Sequence, residues 1–210
     1  MTNGQPGLRE RKKAATREAL SWAALCLAVE RGLENVRVED IAAAAGVSPR
    51  TYNNYFSSKA EAIVFRHRNR ILRTAEALRA RPAEEPLWEA LTNSFVVPFE
   101  DATEEPAPEW IAAVRLLLSE PALQAELSRG GAETRTGLVA AIAARTGTDA
   151  ARDLYPKLVA SAALSAMQVA YEQYLTAEPA VPFLPVLAEA LRQLAAGLPE
   201  PSRSTEQRGI

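Results

Sequence analysis

The sequence predicts an all-α protein: an N-terminal three-helix unit containing a helix-turn-helix, one long connecting helix, and a C-terminal helical domain. Three observations carry this. Apolar residues recur at spacings of three and four along most of the 210 residues. No run of β-branched residues alternates with the two-residue period of a half-buried strand. The stretch from Arg37 to Lys59, RVEDIAAAAGVSPRTYNNYFSSK, reads as two short helices about a tight turn.

Residues 1–8 hold Gly4, Pro6 and Gly7 with little apolar mass and are predicted to be a flexible arm. The first helix runs from Arg9 to Arg31, with Leu20, Ala23, Ala24, Leu27 and Ala28 on one face and Gly32 ending it. The second, from Arg37 to Ala45, is expected to turn Ile41 and Ala44 inward. Gly46 then supplies a turn in which a positive φ costs little. Ser48 as N-cap and Pro49 at the first helical position open a third helix, expected to end near Tyr55. A long fourth helix follows from Lys59 to about Arg81, with Ile63, Ile71, Ala75 and Leu78 inward; Pro82 and Pro86 close it at a domain boundary.

Five further helices are predicted. They run from Leu87 to about Phe99, from Glu109 to Leu118, from Pro121 to about Thr146, from Asp149 to about Ala177, and from Val181 to about Ala196. The third of these is expected to kink or break near Gly130 and Gly131. An acidic, proline-containing loop precedes Glu109, and a polar tail follows Pro199. The predicted division is 1–8 arm, 9–58 helix-turn-helix domain, 59–81 linking helix, 82–198 C-terminal domain and 199–210 tail.

Composition narrows the function classes. Hydrophobic residues at 48% with 24% charged residues describe an ordinary globular protein, long enough to bury a core without disulfides or metals. The lone Cys26 excludes an internal disulfide. The lone His67 has no clustered ligands and reads as packing or solvated, so neither a metal site, a cofactor nor an enzyme is expected. Glu100, Asp101, Glu104 and Glu105 read as solvated loop rather than as a calcium site. The longest uncharged run, between Lys157 and Glu172, is interrupted by Ser161, Ser165 and Gln168 and is too short to cross a bilayer. With no apolar leader, the expectation is a cytoplasmic protein without membrane contact.

The net charge of −2 hides an asymmetry. Residues 1–81 carry 15 basic against 8 acidic residues, and the remainder 9 against 18. The first part is thereby fitted to a polyanion and the rest is not. A two-helix unit with so short a turn is also the shape that sets a helix in the major groove of DNA. On the third helix Asn53 and Asn54 match the donor–acceptor pair of adenine, and Arg50 matches guanine or phosphate. Asn is a weak helix former, so two of them mid-helix favour a binding role. Thr51 and Tyr55 offer hydroxyls to the backbone, and Lys59 adds its charge to the positive end of the fourth helix. Ser48 serves equally as a helix cap. Tyr52 and Phe56 read as core, and the arginines at 66, 68, 70 and 73 as a solvated face. Arg11, Lys12, Lys13 and Arg17 extend the phosphate-facing charge.

These motifs carry a resemblance. Glu30-Arg31-Gly32, the segment VEDIAAAAGVSPRT from Val38 to Thr51, Tyr55-Phe56 and Ser58-Lys59 resemble the N-terminal domain of the TetR/AcrR family of bacterial transcriptional regulators. RLLLSEPALQAEL from Arg115 to Leu127, with the alanine-rich helix after Asp149, is similar to the mycofactocin-regulator group. The resemblance implies a C-terminal domain for ligand binding and dimerisation. It also implies operator contacts from Ser48 through Tyr55 and at Lys59. Arg37 stands where the family commonly has a capping threonine; it can reach a phosphate, but a guanidinium has no acceptor atom with which to cap.

The implied protein is a regulator, in the first instance a repressor. It binds a palindromic double-stranded operator as a homodimer and is released by a small apolar or acyl-type effector, such as an acyl-CoA. Ala160, Ala163, Leu164 and Met167, with Leu184, Leu187, Leu191 and Leu194, form small and leucine-rich stripes that suit a four-helix dimer interface. Trp88, Phe95, Phe99, Trp110, Leu117, Met167, Tyr171 and Tyr174 are the candidates to line an effector pocket. The alternative class is a helical protein–protein adaptor without specific DNA binding.

Overall fold

In the computed structural model the described residues are 7–99, 108–178 and 181–198, the side chains of 99 and 108–110 excepted. The predicted arm before residue 7, the acidic loop and the tail lie outside them. The described residues form α1 (Leu8–Arg31), α2 (Val38–Ala44), α3 (Pro49–Asn53), α4 (Lys59–Ala80), α5 (Leu87–Val96), α6 (Pro108–Ser119), α7 (Pro121–Thr146), α8 (Leu154–Thr176) and α9 (Phe183–Ala195). Short 3₁₀ turns lie at Leu33–Asn35 and Val97–Phe99. There is no strand among them.

Two cores organise the molecule, and α4 belongs to both. Its first half gives Ala62, Ile63 and Val64 to a cluster with Leu20, Ala24 and Ala28 of α1, Ile41 of α2 and Tyr52 of α3. Its second half gives Ile71, Ala75 and Leu78 to a cluster with Leu91, Phe95, Leu138, Ile142, Ala163, Leu187 and Leu191. The N-terminal core is not closed by its own helices: Ala113 of α6 and Leu123 of α7 are buried in it. The boundary at Pro82 therefore separates chain segments but not packing.

The inward faces expected for α1 and α4 are the buried ones. Elsewhere tertiary packing overrides the pattern. On α2 it is Ile41 and Ala42 that are buried, while Ala44 is exposed. The seven-residue helix meets α1 along the 38, 41, 42, 45 edge rather than the 41, 44 edge. The eighth helix starts at Leu154, because Asp149 takes the N–H groups of Ala151 and Arg152 into a turn first.

α7 runs unbroken through Gly130 and Gly131. Close packing on α4 explains the first: a Cβ on Gly130 would lie 2.7 Å from Nε of Arg68. A helix held by tertiary contact tolerates a residue that would weaken it in isolation.

The stripes expected to form the dimer interface are spent within the chain. Ala160, Ala163, Met167, Leu187 and Leu191 are buried where α8 packs on α9 and α7, and Leu164, Leu184 and Leu194 are partly buried against the same core. What α8 leaves exposed is a different line, Leu154 (72%), Leu158 (64%) and Val169 (57%). The small residues permit close approach between helices of one chain.

One unpredicted residue fixes the α4–α5 corner. Arg145, on the last turn of α7, donates to the carbonyls of Arg81 (3.4 Å), Pro82 (2.6 Å) and Glu85. The planar guanidinium spans three acceptors that an ammonium cannot reach together. Arg145→Ala is expected to cost about 2 kcal/mol, lowering Tm by about 5 °C for a chain of this size. Arg145→Lys should recover less than half of the loss. Thermal denaturation of the three proteins checks this, and equal Tm values would contradict the clamp.

Candidate nucleic-acid interface and ligand cavity

The turn between α2 and α3 is built from backbone. Gly46 adopts φ +68°, its N–H donates to Ala43 O, and Val47 N–H donates to Ala42 O. Ser48 caps α3: its Oγ accepts from Thr51 N–H at 3.1 Å and lies 2.9 Å from Thr51 Oγ1. At α2 only half of a capping box forms. Arg37 N–H donates to Asp40 Oδ2 at 3.2 Å, but a guanidinium has nothing with which to accept in return. Arg37 itself is exposed.

α3 is shorter than the sequence suggests. Its last residue is Asn53, and Asn54 is the C-cap, with its N–H on Thr51 O. Neither asparagine sits mid-helix, so poor helix propensity is no argument for their function. Their exposure is what remains: Arg50, Asn53 and Asn54 are exposed, and Thr51 and Tyr55 half-buried. Arg50 and Asn53, three residues apart, share one face of the helix. Tyr52 is buried on the other, and Phe56, just past the helix, is buried beside it.

The buried face holds the exposed one in place. Tyr52 donates its hydroxyl to Ser58 O at 2.9 Å, tying α3 to the start of α4. Burial and the nearby Glu61 push its pKa up to about 12. Phe56 meets Tyr52 and Phe65 at ring separations of 5.9 and 5.6 Å. Arg17 is drawn inward over this aromatic group, its guanidinium 4.3 Å from the Phe65 ring centre and 5.3 Å from that of Phe56. It therefore supports the helix-turn-helix from behind and is turned away from the phosphate-facing role expected of it alongside Arg11, Lys12 and Lys13.

Lys59 also faces inward in part. Its Nζ donates to Leu33 O at 2.9 Å and Val36 O at 2.6 Å, closing the link between α1 and α2. One of its three N–H donors is left for another acceptor. Beside Tyr55 a surface recess of about 350 Å³ is lined by Arg9, Glu10, Lys12, Lys13 and Thr16 of α1. The basic start of α1 and the end of the α3 segment thus form one surface, a juxtaposition no sequence spacing reveals.

The arginines of α4 are not a solvated face. Arg66 pairs with Glu18 of α1 at 3.3 Å and stacks over Trp22, with Asn69 donating to the same carboxylate at 2.6 Å. Arg68 pairs with Glu133 of α7 at 2.6 Å. Arg70 is hydrogen-bonded to Tyr171 of α8; burial lowers the arginine's pKa and raises the tyrosine's. His67 lies between these helices, its ring centre 6.2 Å from that of Tyr171. Desolvation, and secondarily Arg70, bring its pKa down to about 4.

Above this layer α4, α7 and α8, with Leu118 of α6, line a half-open cavity of about 390 Å³. Of the eight pocket candidates, Met167 and Tyr171 line it. Phe95 is buried core, Trp88 and Tyr174 flank that core, and Leu117 packs on the N-terminal cluster. The side chains of Phe99 and Trp110 lie outside the described residues. The remaining lining includes Ile71, Leu118, Leu127, Gly131, Arg135 and Leu164. Spacing gives a signal for these only after the facing helices are known: Leu164, Met167, Gln168 and Tyr171 follow i, i+3, i+4, i+7 on α8, as do Gln124, Leu127, Ser128 and Gly131 on α7.

A half-buried imidazole held neutral at pH 7 makes stability depend on pH. Between the ordinary pKa of about 6.5 and the folded value of about 4, the unfolded chain takes up a proton that the folded chain refuses. Stability on this account falls as pH drops through that window, by up to about 3 kcal/mol. Urea unfolding of wild type and His67→Gln at pH 7, 5.5 and 4 tests it. The substituted protein should gain on wild type as pH falls; a difference constant with pH would contradict the assignment.

Comparison with known proteins accords with this geometry. Residues 22–63 match the profile of bacterial regulatory proteins of the tetR family, and residues 85–199 match that of the MftR C-terminal domain. The HTH-type transcriptional regulator TcmR of Streptomyces glaucescens is 33% identical over 195 residues, covering 90% of this chain and 86% of the relative. Among solved structures the SmeT–triclosan complex superposes with TM-score 0.59 at 18% identity, over 93% of this chain and 100% of its own. Thermus thermophilus FadR, a TetR family transcriptional repressor in complex with lauroyl-CoA, gives TM-score 0.54 at 21% identity, over 92% and 100%. At those identities the structures share the fold.

Proposed function

The chain belongs to the TetR family of bacterial transcriptional regulators, and from that premise we propose that it is a repressor, binding a palindromic operator as a homodimer and released by a small effector. The supporting observation is the course of α4. One end of it carries the helix-turn-helix core and the other walls the cavity, so a molecule that displaces α4 in the cavity moves the recognition helix. An effector acts only through its differential affinity for the two shapes, and swinging a population from 1:99 to 99:1 needs about 10⁴-fold preference.

In this reading Arg50, Asn53 and Asn54 face base edges. Ser48, Thr51, Tyr55, Arg37, Lys12 and Lys13, with the remaining donor of Lys59, serve phosphates. The dimer is assigned to the exposed line of α8 through Leu154, Leu158 and Val169. The cavity is assigned to the effector. An acyl-type molecule is favoured by the match to the MftR C-terminal domain, by the lauroyl-CoA of the Thermus relative, and by the apolar wall of Ile71, Leu164 and Met167.

A gel shift against the DNA flanking the gene, with an inverted repeat as probe, tests the reading. Asn53→Ala should weaken the operator complex about 5- to 150-fold and relax preference at particular bases, since a paired base contact is worth ~1–3 kcal/mol. Lys59→Ala should weaken all duplexes alike. Affinity should fall by ~10³ or more between 50 and 200 mM salt. Wild-type affinity in both variants would remove the assigned interface, and no duplex binding at low salt would favour the protein-binding adaptor instead.

A further inference from the structure

Resting on the reading that the α4–α7–α8 cavity receives the effector, we propose that this effector is an apolar molecule bearing one acidic group, seated on Arg135 and Arg68, and that cationic amphiphiles are excluded. The residues lining the cavity include two guanidinium groups and no carboxylate. Arg135 lies one turn beyond Gly131 on the same face of α7. It is solvent-exposed at the open side of the cavity, and among the described residues it has no hydrogen-bond or ion-pair partner. Arg68 is paired with Glu133, but that carboxylate is 74% exposed, so the pair is weakly held and a ligand's acid can replace it.

The nearby carboxylates are otherwise engaged. Glu126 pairs with Arg129, and Glu172 accepts from Gln168 at 3.1 Å. His67 and Tyr171 face the space as neutral groups at pH 7, so among the described residues only Glu133, on Arg68, offsets the two positive charges, and that of Arg135 stands uncompensated. Opposite them Ile71, Leu164 and Met167 offer an apolar wall. An uncompensated cation beside an apolar wall recognises an amphipathic anion and repels an amphipathic cation.

The volume of about 390 Å³ lies near the lower end for ligand cavities, ~300–1,000 Å³. It holds the body of such a molecule with its charged end at the arginines. A free carboxylic acid sets its single charge directly beside the apolar chain, whereas a CoA thioester carries several charges on phosphates remote from the acyl carbon; both are anionic amphiphiles, and the free acid matches the arginine seat more directly.

The probes are two fluorophores of opposite charge, anionic anilinonaphthalene sulfonate and cationic ethidium, titrated into the full-length protein. Wild type should bind the sulfonate at one saturable site and ethidium at least about tenfold more weakly. Arg135→Glu should weaken the sulfonate about tenfold and strengthen ethidium, a reversal that loss of packing does not produce. Gly131→Phe supplies the control. A Cβ there meets nothing within 4 Å, so the ring fills the cavity without strain on the helix and should abolish the sulfonate site.

A sulfonate site that persists in Gly131→Phe would overturn the assignment of the cavity itself. A site lost in Gly131→Phe but indifferent to Arg135→Glu would leave the cavity and overturn the charge preference. Wild-type ethidium binding as tight as the sulfonate would do the same. Decanoate and decanoyl-CoA as competitors then separate free acid from thioester, the stronger competitor naming the source.

Discussion

The membership of α4 in two cores is the constraint on which the rest of the molecule depends. Ala62, Ile63 and Val64 are fully buried among the helices that carry α3, and Ala75 and Leu78 are fully buried among those of the C-terminal domain. A close-packed interior does not let one segment slide while the other stays, so the helix transmits position as a rod. Burial of Ala113 and Leu123 in the N-terminal core adds a second strut from α6 and α7. The surface at Asn53 is therefore placed by residues as distant in sequence as Leu138 and Ile142, which pack on the far half of α4.

Polar contacts along α4 reinforce this register. Glu18 receives both Arg66 and Asn69, fixing α1 to the middle of α4, and Arg70 reaches Tyr171 on α8. Salt bridges at a surface contribute little, yet these lie half-buried between helices, where an unpaired charge is costly. The same turns of α4 thus face the DNA-side helix on one flank and the cavity on the other. A ligand that perturbs Tyr171 acts on a group hydrogen-bonded to the residue following Asn69. That is a physical connection, with a two-shape element still required before it becomes coupling.

Glycine sets where α7 touches and where it stands off. At Gly130 the absence of a side chain makes room for the Arg68 guanidinium; at Gly131, one residue on, the same absence opens onto the cavity. An isolated helix would be weakened by two such residues, by ~1 kcal/mol each. Packing against α4 offsets this, and the helix stays continuous.

The helical class, the turn at Gly46, the cap at Ser48 and the buried faces of α1 and α4 were legible in the residues, because local periodicity and backbone preference determine them. So was the inward role of Tyr52 and Phe56, large aromatic side chains four residues apart beside polar ones that stay at the surface. What the chain order could not determine was pairing between distant segments. Which small-residue stripe met a neighbour of its own chain, which arginines found carboxylates on α1 or α7, and that Lys59 would reach the carbonyls of Leu33 and Val36 were all decided by tertiary contact. Periodicity names a face without naming what covers it, and only the folded arrangement of α4, α7 and α8 gathered Gly131, Arg135, Ile71, Met167 and Tyr171 around one space.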